Sequence, residues 1–206
     1  MARYGQHVFL NVPFDVRYKK LLHALVFAVH ECGLVARCAS EREDSAEVRV
    51  EKLYTMIRGS RFGIHDLSRT TLDRTYRLPR FNMPFELGLF LGARRYGGAS
   101  QRRKSRLILD RERYRFQIFC SDIAGQDIRA HGNEVDRALT AVRNWLQANL
   151  PASHRLPSPS SLKDRYVEFR RQLPLMCRTA RLRPSELTFL DYQQLVVAWL
   201  AVNPSD

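Results

Sequence analysis

The sequence predicts an α/β fold, in which a parallel sheet is flanked by helices and is followed by a helical C-terminal extension. Short apolar, β-rich segments alternate along the chain with longer segments whose apolar residues recur at helical spacing, and this alternation is typical of parallel sheets. A Pro- and Ser-rich segment then separates the alternating region from two further helical patterns. With 206 residues, 45% of them hydrophobic, the chain is long enough to bury a sizeable core.

The first third of the chain supplies three predicted strands and two helices. Residues 7–12 form an apolar first strand that Pro13 ends, and a helix from about residue 15 to 32 follows, with Gly33 as its stop signal. The pattern continues with a second strand at residues 34–38, a second helix at 46–59 and a third strand at 61–65.

The later elements complete a first domain and begin a second segment. A fourth strand is predicted at residues 106–110, a fifth strand or a short helix at 114–118, a loop at 121–131, and a helix capped by Asn133 that ends near residue 150. The predicted organisation is therefore an α/β domain at residues 1–150, a linker at 151–161 and a helical segment at 162–206.

Two helices are predicted in the C-terminal segment. One begins near Ser161 and ends before Pro174, and the other begins at Thr188 with Asp191 in a capping box. Because two or three short helices cannot form much of a core, we expect them either to dock on the α/β domain or to pair with another subunit. Pairing is favoured, since Trp199 would supply an apolar anchor.

Residues 78–95 form the most distinctive segment of the chain. Pro84 opens a helix that is apolar on nearly every side, so we expect the helix to be buried against the sheet. Its first turn carries a lone carboxylate, Glu86. If Met83 is the N-cap, Glu86 is the third helical residue and can bind a free backbone N–H. Alternatively, Glu86 is a catalytic acid, base or nucleophile whose pKa is raised by apolar neighbours.

Polar side chains follow the first and third predicted strands. Because ligands of open parallel sheets bind at the carboxyl ends of the strands, we expect these side chains to converge with the mouth of the Glu86 helix on one site. The candidate binding residues in the two segments are Asn11, Pro13, Phe14, Asp15, His65, Asp66, Ser68 and Arg69.

The run Phe85-Glu86-Leu87-Gly88, preceded by Asn82 and a Pro-containing loop, resembles the catalytic-glutamate segment of the nucleoside 2-deoxyribosyltransferase-like and TIR-like superfamily. The resemblance extends to residues 8–15 and 64–69 and covers roughly residues 7–110. The chain departs from the family in two ways. Its first loop is not the usual serine-containing TIR loop, and it has no clean counterpart of the acidic pair found in many deoxyribosyltransferases.

The resemblance implies a flavodoxin-like, TIR-like sheet and a site that cleaves the N-glycosidic bond of a nucleotide or nucleoside, with NAD as the first substrate to consider. Glu86 would be the nucleophile or would stabilise an oxocarbenium-like sugar. Asn82 would position the ribose hydroxyls, and Asp66 with Ser68 would bind the sugar or the base. Residues 11–15 and Arg69 would border the phosphate end.

The same resemblance implies biological expectations. TIR-like enzymes of bacteria often destroy NAD as defence effectors and commonly require self-association, so a homo-oligomer is expected. The nucleotide would be the substrate, and no permanently bound cofactor is expected. A non-catalytic sensor that binds a nucleotide-derived ligand in the same crevice is the alternative.

The charge of the chain favours anionic partners. There are 34 Lys and Arg residues against 21 Asp and Glu residues, which gives a formal net charge of +13. Many of the cations fall between residues 94 and 115, where a solvated basic face and a nucleic-acid-binding patch are both consistent with the pattern. The patch would use Arg102, Arg103 and Lys104.

Cysteine usage and hydropathy point to a cytoplasmic protein. The four cysteines have neither CxxC spacing nor a histidine-rich companion, so we expect reduced thiols and no metal site. The chain contains no apolar run of about 18 residues and no secretory-type N-terminus, which predicts no membrane association.

Overall fold

The computed structural model describes residues 4–41, 48–70, 72 and 80–204. Its strands are β1 (His7–Asn11), β2 (Val35–Arg37), β3 (Phe62–Asp66), β4 (Ser105–Asp110) and β5 (Ile128–Ala130). They form one sheet in the order β2-β1-β3-β4-β5, and every pairing is parallel. The predicted α/β class is therefore confirmed.

Helices cover both faces of this sheet. They are α1 (Lys19–Glu31), α2 (Arg49–Arg58), α3 (Asn82–Tyr96), α4 (Ala99–Arg102), α5 (Val135–Asn149), α6 (Pro159–Thr179) and α7 (Phe189–Val202). Val8 and Leu10 of β1 share a core with α1, α5, α6 and α7, whereas Phe9 packs with α2 and α3 on the opposite face. Successive residues of a strand point to opposite faces, so β1 is buried on both sides.

The C-terminal helices dock on the α/β domain. Phe27 of α1 contacts the rings of Phe169 and Trp199, with centroids 5.2 and 5.8 Å away. Arg165 of α6 forms an ion pair with the buried Glu31 of α1, with 2.6 Å between Nε and Oε1. Trp199 is only 2% exposed, so the expectation that it anchors a second subunit is wrong: it anchors α7 within the chain.

Residues 151–161 are attached to the domain that they follow. The His154 ring lies 2.9 Å from the backbone oxygen of Cys32, at the end of α1. Arg143 of α5 donates to the backbone oxygen of Pro157 at 2.7 Å. These contacts hold the segment against α5 and the end of α1.

Several predicted boundaries differ from the structure. Helix α6 begins at Pro159, capped by Ser158, and continues through Pro174, because Leu173 and Cys177 on either side of that proline are buried in the core. Residues Arg115–Ile118 form a short 3-10 helix. The capping box of Thr188 and Asp191 is confirmed.

The region after β4 departs most from the prediction. The fifth strand, Ile128–Ala130, lies inside the segment that was predicted to be a loop. Asn133 does not cap α5, whose N-cap is Glu134. Instead, Asn133 has a left-handed backbone with φ of 62°, and its N–H donates to the ring of His131.

Some predictions fall on residues that the structure does not describe. The start of the second predicted helix at Ala46 and Glu47 lies outside the described residues, as do Leu78 and Pro79 of the Glu86 segment. No helix in the described part of the chain is long and apolar enough to cross a bilayer.

Candidate functional site at the carboxyl edge of the sheet

The strand order defines a switch point between β1 and β3. From β1 the chain passes through α1 to β2 on one side, and from β3 it passes through α3 to β4 on the other side. The loops that follow β1 and β3 therefore run in opposite directions from two adjacent strands. Ligands of parallel α/β sheets bind in the crevice between such loops. We call the edge at which the strands end the carboxyl edge.

Asp66, the last residue of β3, is the centre of a buried network. Its Oδ2 accepts hydrogen bonds from the Tyr18 hydroxyl and, at 3.0 Å, from His131 Nε2, and its Oδ1 accepts from the Ser68 N–H at 2.7 Å. Burial acts to raise the pKa of Asp66, but the bonds from His131, Ser68 and Tyr18 outweigh it, so the pKa lies below its ordinary value. Asp66 is thus held as a carboxylate by three hydrogen bonds.

The network fixes the protonation pattern of His131. Its Nδ1 accepts the backbone N–H of Asn133 at 2.8 Å, so its hydrogen is on Nε2, which faces Asp66. His131 follows β5 and is 1% exposed. The ends of β3 and β5 are therefore joined through one imidazole.

A second buried carboxylate ends β4. Asp110 Oδ1 accepts two bonds from the Arg115 guanidinium, at 2.6 and 2.9 Å, and Arg115 also donates to the backbone oxygen of Leu67. Burial raises the pKa of Asp110, although Arg115 opposes the rise. This guanidinium ties the loop after β3 to the end of β4.

Asn11 and His65 lie on the opposite face from Asp66. The Asn11 Nδ2 donates to the backbone oxygen of Met83 at 2.8 Å and approaches His65 Nδ1 at 3.1 Å, so it connects β1 and β3 to the start of α3. The His65 ring packs edge-on against Phe90, 4.9 Å between centroids, and is fully buried. Burial lowers its pKa to about 3.

The residues that were predicted to converge on one site therefore lie on two different faces of the sheet. His65 and Asp66 are neighbours on one strand and point in opposite directions. His65 packs under α3 with Asn11, whereas Asp66 faces Tyr18 and His131. His65 is fully buried beneath α3, and its Nε2 has no hydrogen-bond partner among the described residues.

Glu86 lies on the inner face of α3 but does not cap the helix. Because α3 begins at Asn82, Glu86 is the fifth helical residue and its carboxylate does not cap the first turn, so the capping prediction is wrong. The side chain is 4% exposed, and the described residues provide it with no hydrogen bond or ion pair. Burial raises its pKa to about 7, with the Arg49 guanidinium acting weakly in the opposite direction.

Asp15 and Arg69 meet above the sheet. Arg69 Nη2 and Nε lie 2.8 and 3.3 Å from the two Asp15 carboxylate oxygens, and Arg80 Nη1 lies 3.6 Å from Oδ2. The hydrogen bond from Arg69 lowers the pKa of Asp15. The ion pairs join the loop after β1 to the loop after β3 and to the residue before Phe81, the N-cap of α3.

The remaining predicted residues differ in exposure. Pro13 is buried, Phe14 is 44% exposed, and Asn82 is exposed in the first turn of α3. Ser68 is buried, and its hydroxyl has no hydrogen-bond partner in the described part of the chain. Only Phe14 and Asn82 of these four present a side chain substantially to solvent.

Sequence reasoning missed Tyr18, Asp110, Arg115 and His131. The helical spacing of Tyr18 marked it as a core residue, which gave no sign of its hydroxyl reaching Asp66. His131 would have stood out at a strand end if β5 had been recognised. Asp110 was the last residue of the fourth predicted strand, and this position could have identified it as a further polar side chain at the carboxyl edge.

The basic segment is not a continuous surface. Lys104 is 2% exposed and donates to the backbone oxygens of Ile57 and Ser60 at the end of α2, and burial lowers its pKa to about 8. Its amino group therefore stabilises a helix end and cannot contact a nucleic acid phosphate. Arg102 and Arg103 are the remaining exposed residues of the predicted patch.

The described residues include no group of three or more His, Cys, Asp or Glu side chains suited to hold a metal ion. All four cysteines are free thiols. Comparison of the chain with protein-family models, with curated proteins and with solved structures gives no match to any of them.

Proposed function

We propose that the crevice at the carboxyl edge binds a nucleotide or nucleoside and that Glu86 acts in cleavage of its N-glycosidic bond. One observation carries the proposal: Glu86 is almost completely buried, has no polar partner among the described residues and has a pKa of about 7. A structural carboxylate is normally paired or hydrogen-bonded when it is buried. An unpaired carboxyl that titrates near neutrality is typical of catalytic acids and nucleophiles.

The proposed chemistry uses Glu86 in its ionised form. The carboxylate forms a bond to the anomeric carbon or stabilises the positive charge that develops there, while the bond to the base nitrogen breaks and its electron pair leaves with the base. Water or another acceptor then takes the sugar. NAD is the first substrate to test, on the strength of the sequence resemblance.

Unpartnered acceptors at the carboxyl edge support a ligand that carries hydroxyl groups. Asn11 Oδ1, Ser68 Oγ and Asp110 Oδ2 are buried and find no hydrogen-bond partner within the residues that the structure describes. They lie at or just beyond the ends of three adjacent strands. Buried acceptors of this kind are costly unless a donor reaches them. The hydroxyls of a ribose are suitable donors, and Asn82 in the first turn of α3 is the exposed residue that we propose to orient them.

The proposal is tested by product analysis with Glu86→Gln. Purified wild type and variant are incubated with NAD and a panel of nucleosides and nucleotides, at low and high protein concentration, and released bases are separated by chromatography. We expect wild type to release a base and the variant to lose at least about 100-fold in rate while melting cooperatively. Glu168→Gln, at a partly exposed position on α6 with 42% of the side chain accessible, is the matched control and should retain full activity.

Equal rates in wild type and Glu86→Gln would remove Glu86 from the chemistry. A second candidate function, a sensor that binds the ligand without turnover, is favoured by one observation: the central carboxylate Asp66 already accepts three hydrogen bonds from groups within the chain. The sensor predicts ligand-induced stabilisation of the wild type with no product at any protein concentration.

A further inference from the structure

Two guanidinium groups converge on one carboxylate at the mouth of the crevice. Arg69 follows β3 and holds Asp15 through two contacts, of 2.8 and 3.3 Å. Arg80 precedes α3 and reaches the same carboxylate at 3.6 Å. The two segments that flank the switch point thus direct their cations at a single anion.

The geometry matches that of a phosphate site. A guanidinium that presents Nε and Nη2 to two oxygens binds carboxylates and phosphates in the same forked manner. Two cations face one anion here, so the cluster retains a net positive charge. The side chains of Asp15, Arg69 and Arg80 are 24%, 28% and 57% exposed, so a ligand can reach them from solvent.

Asp15 has a second role that does not require its charge. Its Oδ1 accepts the backbone N–H groups of Arg17 and Tyr18, both at 3.1 Å, in the turn that leads into α1. These bonds need an oxygen acceptor, which asparagine also provides. The ion pairs, by contrast, are partly exposed, and such pairs are weak enough for a ligand to displace.

We propose that Arg69 and Arg80 bind the phosphate of a phosphorylated ligand and that Asp15 is a built-in competitor that occupies both guanidiniums in the free protein. The ligand class that follows is a nucleotide or dinucleotide rather than a free nucleoside. The nucleoside part of this assignment rests on the proposed function, whereas the anion site is tested independently of it.

The experiment is calorimetric titration at fixed ionic strength with inorganic pyrophosphate, adenosine diphosphate and adenosine. Asp15→Asn keeps the acceptor for Arg17 and Tyr18 but removes the competing charge. We expect it to bind pyrophosphate and the diphosphate about three- to tenfold more tightly than wild type and to leave adenosine binding unchanged. The double variant Arg69→Gln, Arg80→Gln should bind both anions at least about tenfold more weakly.

Asp127→Asn is the matched control, because it removes the same charge from an exposed ion pair with Arg129 next to β5. We expect its anion affinity to equal that of wild type. This comparison distinguishes the local effect of removing the Asp15 charge from the effect of a general change in net charge. If Asp15→Asn fails to fold, Arg80→Gln alone still tests the site, since Arg80 is mostly exposed, and it should weaken pyrophosphate binding.

The proposal is overturned if folded Asp15→Asn binds pyrophosphate no more tightly than wild type, or if removing both arginines leaves the affinity unchanged. These outcomes are distinct from failure of the proposed function. Anion binding with the expected variants but no base release would retain the phosphate site and remove the enzyme. Base release from adenosine by the wild type, together with anion affinities that none of these variants alters, would retain the enzyme and remove the phosphate site.

Discussion

A carboxyl group that is buried away from water titrates at a higher pH than one in water, and Glu86, only 4% exposed, is such a group. Burial raises its pKa from 4.5 to about 7. Folding therefore favours the protonated form. Since the folded-state pKa is the higher one, the penalty for ionising Glu86 is absent below about pH 4.5, develops as the pH rises to 7 and is complete above it.

The stability of Glu86→Gln should therefore depend on pH differently from that of wild type. Glutamine cannot ionise, so the variant escapes the penalty, and we expect its free energy of unfolding to gain about 2 kcal/mol relative to wild type between pH 5 and pH 8. Urea denaturation at several pH values measures the difference. The free energy of unfolding of Glu168→Gln should depend on pH in the same way as that of wild type. If Glu86→Gln also showed the wild-type pH dependence, Glu86 would not be buried as described.

At the scale of elements, two glycines distinguish a packed strand from an open helix face. A Cβ added to Gly63 in β3 would lie 2.7 Å from His65 Nε2 and 2.8 Å from Phe90 Cε2. A Cβ added to Gly88 in α3 would meet no described heavy atom within 4 Å, apart from its chain neighbours and the nearby backbone of its own helix. The first glycine is thus required by the contact between β3 and α3, and the second is not required by any contact with the described residues.

Alanine at these two positions should have opposite effects. Gly63→Ala forces the His65 and Phe90 rings apart and should destabilise the fold by about 1 to 3 kcal/mol. Gly88→Ala should stabilise it by about 0.5 to 1 kcal/mol, because alanine favours a helix interior and has free space there. Urea denaturation at neutral pH compares both with wild type. Changes of the same sign would contradict the contact between β3 and α3.

At the level of elements, the sequence predicted four of the five strands but not β5, the strand at one edge of the sheet. The first four strands are marked by apolar runs between helical patterns, as in Phe62–Asp66. The fifth strand has only three residues, Ile128–Ala130, and is not fully buried. A strand so short is formed by its pairing with β4, which local sequence does not encode.

At the scale of the whole molecule, the sequence could predict which polar residues lie at the ends of strands, but not which of them contact one another. Asn11 and Asp66 end strands whose predicted last residues, 12 and 65, are each one residue away. The face on which each side chain lies, however, depends on the register and on the neighbouring helices. The partners of Asp66 come from Tyr18 and His131, which are distant in sequence. Such contacts follow from tertiary packing, so neither spacing nor composition reveals them.

The docking of the C-terminal helices is also a property of the whole molecule. Their apolar residues predicted that the helices pack against another surface but could not identify that surface, because α1 and a second subunit could each present an apolar face. In the structure, Phe27 of α1 packs between Tyr166, Phe169 and Trp199. A single core thus joins residues near the start of the chain to residues near its end.

Trp199→Ala should therefore destabilise the whole chain by about 3 to 5 kcal/mol, through the lost ring contacts and the cavity that remains. Because the contacts are within one chain, the loss should be the same at protein concentrations that differ a hundredfold, as measured by denaturant unfolding. Val202→Ala, at a position 77% exposed on the same helix, is the control and should change stability by less than about 0.5 kcal/mol. A loss for Trp199→Ala that varied with protein concentration would instead place the indole between two copies of the chain.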